Sequence, residues 1–267
     1  MIGVEVGKLL RRPRTWVSIA LLAGLPTIVA VFLSISEVAP RPGTGPAFLS
    51  AVLENGALYP AAALAIVLPL FLPVAVAVVA GDAVAGEAQA GTLRYLLVRP
   101  VGRTRLLVAK LVSVVVFTML AVVVVAGVAY VVGTNLFGSG PLPSTSGTQL
   151  STGDATLRTV LAVLYVGWSM LGVAAVALFL STLTDSPLAA ALGAIALLVT
   201  SGVLVGLEAS ASVSPYLPTR YWLAFVDFFR DPVLYRDIVR GTALQAAYIG
   251  VFLTAAWANL MTKDVTS

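Results

Sequence analysis

The chain has 267 residues, 59% of them hydrophobic and only 10% charged. A soluble domain carries roughly a quarter charged residues, so this chain has too few to build a water-facing shell and has the composition of a membrane protein. Its net charge of +4 fits basic loops beside a bilayer rather than nucleic-acid binding. The absence of cysteine and histidine excludes disulfides, thiolate chemistry, Cys/His metal sites and any histidine base.

In chain order, residues 1–14 come first. Ile2, Val6, Leu9 and Leu10 share one helical face, with Glu5, Lys8, Arg11 and Arg12 opposite. This pattern describes either a basic amphipathic helix on the membrane surface or a topogenic tail that is only partly helical. Pro13 ends it. The apolar run that follows is longer than the core of a signal peptide and is not followed by a small-residue cleavage site, so it reads as a retained first membrane helix.

A helix needs about 20 apolar residues to cross the hydrocarbon core. Six segments qualify: 16–36, 57–80, 108–133, 159–183, 188–207 and 242–262. None has a charge near its centre, where a single arginine costs roughly 2.5–3.5 kcal/mol. Six crossings put both termini on one side. With the termini inside, the inner segments hold ten basic and five acidic residues, and the outer ones six basic and seven acidic. The basic excess therefore places the termini in the cytoplasm.

The segments between the helices differ in character. Residues 134–156 are rich in Gly, Ser, Thr and Pro and read as irregular. Thr184, Asp185, Ser186 and Pro187 form a tight turn that makes helices four and five an antiparallel hairpin. Residues 209–241 interleave aromatics with charges. Tyr216, Tyr221, Trp222, Phe225, Phe228 and Phe229 suit an interfacial or re-entrant helix at the outer headgroups before helix six.

Helix two carries Pro60, Pro69 and Pro73. Each removes a helical hydrogen bond, and Pro69 and Pro73 lie on one face, forming either a hinge or a static kink. Gly202 and Gly206 in helix five permit close helix approach, for which intrachain packing is the plainer use. Glu208 ends that helix.

The inner connection, residues 81–110, holds the densest pattern. Residues 83–98 can form a short helix interrupted by Gly86 and Gly91, before a turn at Pro100-Val101-Gly102. Leu93, Leu96 and Leu97 make an apolar face; Arg94, Arg99, Arg103 and Arg105 make a basic one. Such a helix could take force from a soluble partner, or be no more than a positive-inside loop.

The run Glu87, Gly91-Thr92, Leu96-Leu97, Arg99-Pro100-Val101, Arg103, Leu106-Leu107 and Lys110 resembles the signature of ABC-2 type permeases. These are the membrane subunits of bacterial ABC exporters, related in fold to the ABCG-type transporters. The resemblance implies an all-α membrane protein forming a single permease domain over residues 1–267. Its parts would be an N-terminal amphipathic helix, six transmembrane helices, a cytoplasmic coupling helix at 83–98 and an outer re-entrant segment. It further implies that Glu87, Gly91, Thr92, Arg94, Leu97, Arg99 and Arg103 form the contact with a separate ATP-binding subunit. Pro69, Pro73, Gly202 and Gly206 become hinge or pathway candidates. The residues around Glu87 (Ala85, Gly86, Ala88 and Gln89) carry less charge than in many of these permeases.

No G-x-x-x-x-G-K-[ST] phosphate loop occurs in the chain. The expectation is a non-catalytic subunit that binds no cofactor or metal itself, with ATP and Mg held by two copies of a partner ATPase. A second permease chain, identical or similar, would complete the pathway in a prokaryotic plasma membrane. Because the helices offer almost no ionisable side chain, the cargo is expected to be hydrophobic or amphiphilic, such as a lipid or drug. The alternatives are a membrane scaffold or channel subunit without an ATPase, and an intramembrane enzyme. The last lacks a Lys or Asp at depth to activate its serines.

Overall fold

The computed structural model describes residues 1–36, 51–53, 55–91, 102–138, 142–143, 149–150 and 152–262. Eight α-helices account for most of them: α1 (Ile2–Arg11), α2 (Pro13–Ser36), α3 (Tyr59–Val67), α4 (Phe71–Gln89), α5 (Arg103–Phe137), α6 (Thr152–Leu183), α7 (Pro187–Val205) and α8 (Tyr235–Thr262). All but α1 and α3 are long and apolar enough to cross a bilayer, which gives six candidate spans. A two-residue antiparallel ladder, β1 (Leu142–Pro143) with β2 (Gln149–Leu150), lies between α5 and α6.

The bundle is apolar on its outside as well as inside. Tyr59, Phe117, Leu64, Leu68, Leu72 and Met170 are fully buried in the core. Yet Leu21 and Phe32 are 70% and 69% exposed. Apolar surface of this extent is stable only against lipid, and the chain is a multi-pass membrane protein.

The second span differs from the single helix expected over 57–80. It is broken at Leu68-Pro69-Leu70: α3 ends at Val67, and Leu70 leaves helical geometry at φ −141°, ψ −56° before α4 begins. Pro69 has no N–H with which to continue α3. Pro73 falls in the first turn of α4, where a missing N–H costs little. The two prolines therefore end one helix and begin another rather than bend a continuous one. The halves pack differently, α3 mainly on α5 and α4 on α6 and α7.

Two glycines set the contact between α3 and α5. The Gly56 N–H donates to the Gly138 carbonyl at 3.1 Å. A Cβ at Gly133 would sit 2.5 Å from Tyr59 Cβ. The Tyr59 hydroxyl in turn donates to the Pro26 carbonyl of α2.

The 184–187 connection is as tight as expected. α6 ends at Leu183, Pro187 opens α7, and the Ser186 hydroxyl accepts from the Ala189 N–H at 3.3 Å. The aromatic segment before α8 forms no α-helix. It runs through 3-10 turns at Glu208–Ser210, Ser214–Tyr216 and Trp222–Phe229. Phe225 and Phe229 are buried, and the last turn packs on α6 and α8.

Replacing Gly133 by Leu should force α3 off α5. Overpacking at such a contact costs about 1–3 kcal/mol, visible as a lowered thermal midpoint in micelles. An unchanged midpoint would mean that the approach of these helices does not depend on the missing side chain.

Candidate functional site

The residues that end α4, begin α5 and make up α1 meet in one cluster of charges. Lys110, two turns into α5, is only 5% exposed. Its Nζ donates to Glu5 Oε2 of α1 at 2.7 Å and to Glu87 Oε1 of α4. Lys8 Nζ adds a 3.0 Å bond to Glu5 and lies 3.8 Å from Glu87. One turn earlier on α4, the Asp82 carboxylate takes Arg12 at 2.9 Å and also Arg14. Three carboxylates and four cations thus join α1 and the start of α2 to α4 and α5, elements far apart in sequence.

Burial alone would raise the Glu5 carboxyl. The hydrogen bond and charge of Lys110, followed by those of Lys8, outweigh it and hold the group below its ordinary value of 4.5. The elbow between α1 and α2 is fixed locally. The Thr15 hydroxyl donates to the Leu9 carbonyl at 2.7 Å and Trp16 Nε1 to the Leu10 carbonyl at 2.8 Å. Pro13 opens α2 with no N–H to satisfy. The amphipathic 1–14 stretch is therefore helical over Ile2–Arg11, with Glu5 and Leu9 turned inward.

The lower part of α4 is shaped by two further residues. The Ser181 hydroxyl of α6 donates to the Gly81 carbonyl at 2.6 Å and accepts from the Val84 and Ala85 N–H groups at 3.1 and 2.9 Å. Gly81 O and Ala85 N would pair with each other in a regular helix, so Ser181 sits at their joint, where side-chain insertion bends helices. Gly86 makes room for a carboxylate: a Cβ there would lie 2.5 Å from Asp82 Oδ1.

The segment expected as a separate helix over 83–98 is different where it is described. Residues 83–89 are the last two turns of α4, continuous through Gly86. A lone glycine costs a helix only about 1 kcal/mol, too little to interrupt one anchored along its length. The helix stops at Gly91, which adopts φ +67°, the left-handed geometry of a helix-ending glycine. Thr92, Arg94, Leu97 and Arg99 lie outside the described residues. Glu87 is 13% exposed at its side chain and committed to Lys110 and Lys8. Arg103 begins α5 and donates to the Leu260 and Met261 carbonyls at 3.0 and 2.7 Å, closing the C-terminal end of α8.

The pathway candidates gather elsewhere. Pro69 and Pro73 at the break, with Leu198 and Gly202 on α7, line an apolar groove of about 450 Å³. Thr219, Trp222 and Leu223 of the 3-10 segment form its remaining wall. The Ser201–Thr219 hydroxyl pair, at 2.7 Å, ties that wall to α7. Among the described residues no neighbour packs on Gly202, where intrachain packing was expected: a Cβ there would meet nothing within 4 Å. Gly206 lies beyond the groove, in a smaller depression that it shares with Glu208 and Arg220.

The cluster and the groove belong to one class of molecule, an all-helical polytopic membrane protein with ionic chemistry at one end and an apolar recess toward the other. The chain belongs to the family DUF2705, described as a protein of unknown function, whose profile matches residues 25–263. No curated protein matches the sequence.

Sequence reasoning placed Glu87 and Lys110 in one motif but missed Glu5 and Asp82. The signal for Glu5 was present, an acid on the polar face of a basic helix. Its partner lies 105 residues away, beyond any periodicity.

Lys110→Met should leave two carboxylates facing each other. Removing one partner of a buried ion pair costs about 3–5 kcal/mol. In a cycle with Glu5→Gln the double variant should lose clearly less than the sum, read from unfolding in micelles; simple additivity would mean that the two residues act independently. Because the Glu5 carboxyl is depressed, its stabilisation is complete above the ordinary glutamate range and is lost as pH falls through the lowered value. Amide exchange in α1, corrected for intrinsic rates, should therefore accelerate between about pH 6 and pH 3.5. Constant protection across that window would contradict the anchor.

Proposed function

We propose that the chain is the permease subunit of an ATP-driven exporter of the ABC-2 type. Two such chains, identical or similar, would enclose a path for a hydrophobic or amphiphilic substrate. Two separate ATP-binding subunits would carry the ATP and Mg and do the hydrolysis. The termini and the 90–102 connection would face the cytoplasm of a prokaryotic cell, and the 208–234 segment the outside.

The observation that carries this reading is the Lys110 bridge. It ties the end of α4 to the start of α5, the two helices flanking the 92–101 connection. A push on that connection is then delivered to a braced pair of helices rather than lost in a slack loop. α4 transmits it along its length to the break at Pro69, which lines the groove. In this reading Glu87 and Arg103 act from within, setting how the connection is presented. The surface offered to the ATPase is Gly91, Thr92, Arg94, Leu97 and Arg99. The groove supports the substrate class: its lining is almost wholly apolar, so it suits acyl chains or similar bodies and not ions or sugars.

The test is a search beside this reading frame for a gene encoding a soluble Walker-A protein, then co-purification of the chain with that protein and ATPase assay of the complex. Arg94→Glu with Arg99→Glu should weaken assembly by about tenfold or more, while the helical content of the permease is unchanged. Glu87→Ala should lower turnover or assembly together with a fall in stability, because it breaks the Lys110 bridge. If no ATP-binding protein assembles, or assembly survives changes throughout 91–99, a scaffold or channel without an ATPase becomes the better description.

A further inference from the structure

At the end of the bundle away from α1, a cavity of about 660 Å³ opens between the 3-10 segment and the start of α8. Arg220, Arg236 and Arg240 line it together with Tyr216, Tyr221 and Asp237. Asp237 is its only carboxylate and lies 3.9 Å from Arg240, so two guanidiniums are left over. Among the described residues, Arg220 and Arg236 have no ion-pair partner within 4 Å. Glu208, in the adjoining depression shared with Arg220, does not reach it.

The placement of these arginines works against the helix. Arg236 and Arg240 share a face in the first two turns of α8, where the positive end of the helix dipole disfavours cations. The opposite wall is held in place by three side chains from the bundle. Tyr165 donates to the Tyr221 carbonyl at 2.7 Å, Gln245 to that of Pro218 at 2.7 Å, and Tyr248 to that of Tyr216 at 3.0 Å. A cationic recess so fixed, at a helix start that would otherwise reject cations, is suited to an anion.

We propose that this cavity binds a phosphate group, presented by the headgroup of an anionic phospholipid. Guanidiniums grip phosphate through paired hydrogen bonds. Ala243 and Leu244 supply an apolar wall on the side of the membrane span, where the glycerol and upper acyl chain would lie. Tyr216 and Tyr221 form the amphipathic rim typical of headgroup depth. The site does not depend on any ATPase partner.

The test uses the purified full-length chain in neutral detergent micelles, titrated with short-chain phosphatidylglycerol, short-chain phosphatidylcholine or inorganic phosphate, with thermal unfolding as readout. Phosphatidylglycerol should half-saturate at a concentration about tenfold below phosphatidylcholine, with the preference shrinking as salt rises. Arg236→Gln with Arg240→Gln should abolish the preference; Arg220→Gln alone should reduce it. Arg105→Gln, at the other end of the bundle, should leave it intact. Because these arginines are exposed, elution volume and circular dichroism should be unchanged. Stabilisation by inorganic phosphate equal to that by phosphatidylglycerol, and lost in the same variants, would assign the site to free phosphate. A wild-type chain that does not prefer the anionic lipid or phosphate, or a double variant that keeps the preference, would overturn the proposal.

Discussion

A lysine ammonium held out of water between two carboxylates fixes the geometry of one end of this protein. Stripping an ion of its hydration costs several kcal/mol. Lys110 can therefore stay buried only while Glu5 and Glu87 are both in place. That condition requires α1 to lie against the bundle, α4 to extend to its last turn and α5 to begin at a set height. The Asp82 pair with Arg12 and Arg14 repeats the requirement one turn away. Propensity alone would hold α1 poorly, since an isolated ten-residue helix is marginal.

The other end is organised by hydrogen bonds rather than ion pairs. Side chains from α6 and α8 reach the carbonyls of Tyr216, Pro218 and Tyr221, and α7 holds Thr219 through Ser201. These bonds let an irregular, aromatic segment fold onto the bundle without leaving its backbone unsatisfied, a strict condition near hydrocarbon. The two ends are joined by α4. It starts at the proline break beside the groove, is touched midway by the Ser181 hydroxyl, and finishes in the charged cluster. The one span that is interrupted is also the one that contacts both sites.

Much of this was legible in the sequence. The spans announce themselves by the lack of central charge, because a buried arginine would be so costly. The short run Thr184-Asp185-Ser186-Pro187 gave away the α6–α7 turn, and the structure adds the Ser186 cap. The break in the second span was half visible: Pro69 and Pro73 marked the place, but a kink and an interruption look alike until the local dihedrals are known. Gly86 misled, because its space is filled by the Asp82 side chain rather than used to stop a helix. Gly202 and Gly206 misled in another way, as a small-residue face has no signature that says whether a neighbour of the same chain covers it. Glu5 with Lys110, and the three arginines around Tyr221, could not be paired beforehand. Their meetings are set by tertiary packing over many tens of residues.

The charged cluster holds α1, α4 and α5 as one body. The chain has no cysteine, so spin labels placed at Gly3→Cys and Thr104→Cys report the α1–α5 distance without background. Double electron–electron resonance should give one narrow distribution in the otherwise unchanged protein and a broad one when Lys110 is replaced by Met. A broad distribution from the start, or a narrow one that survives the loss of Lys110, would contradict the account.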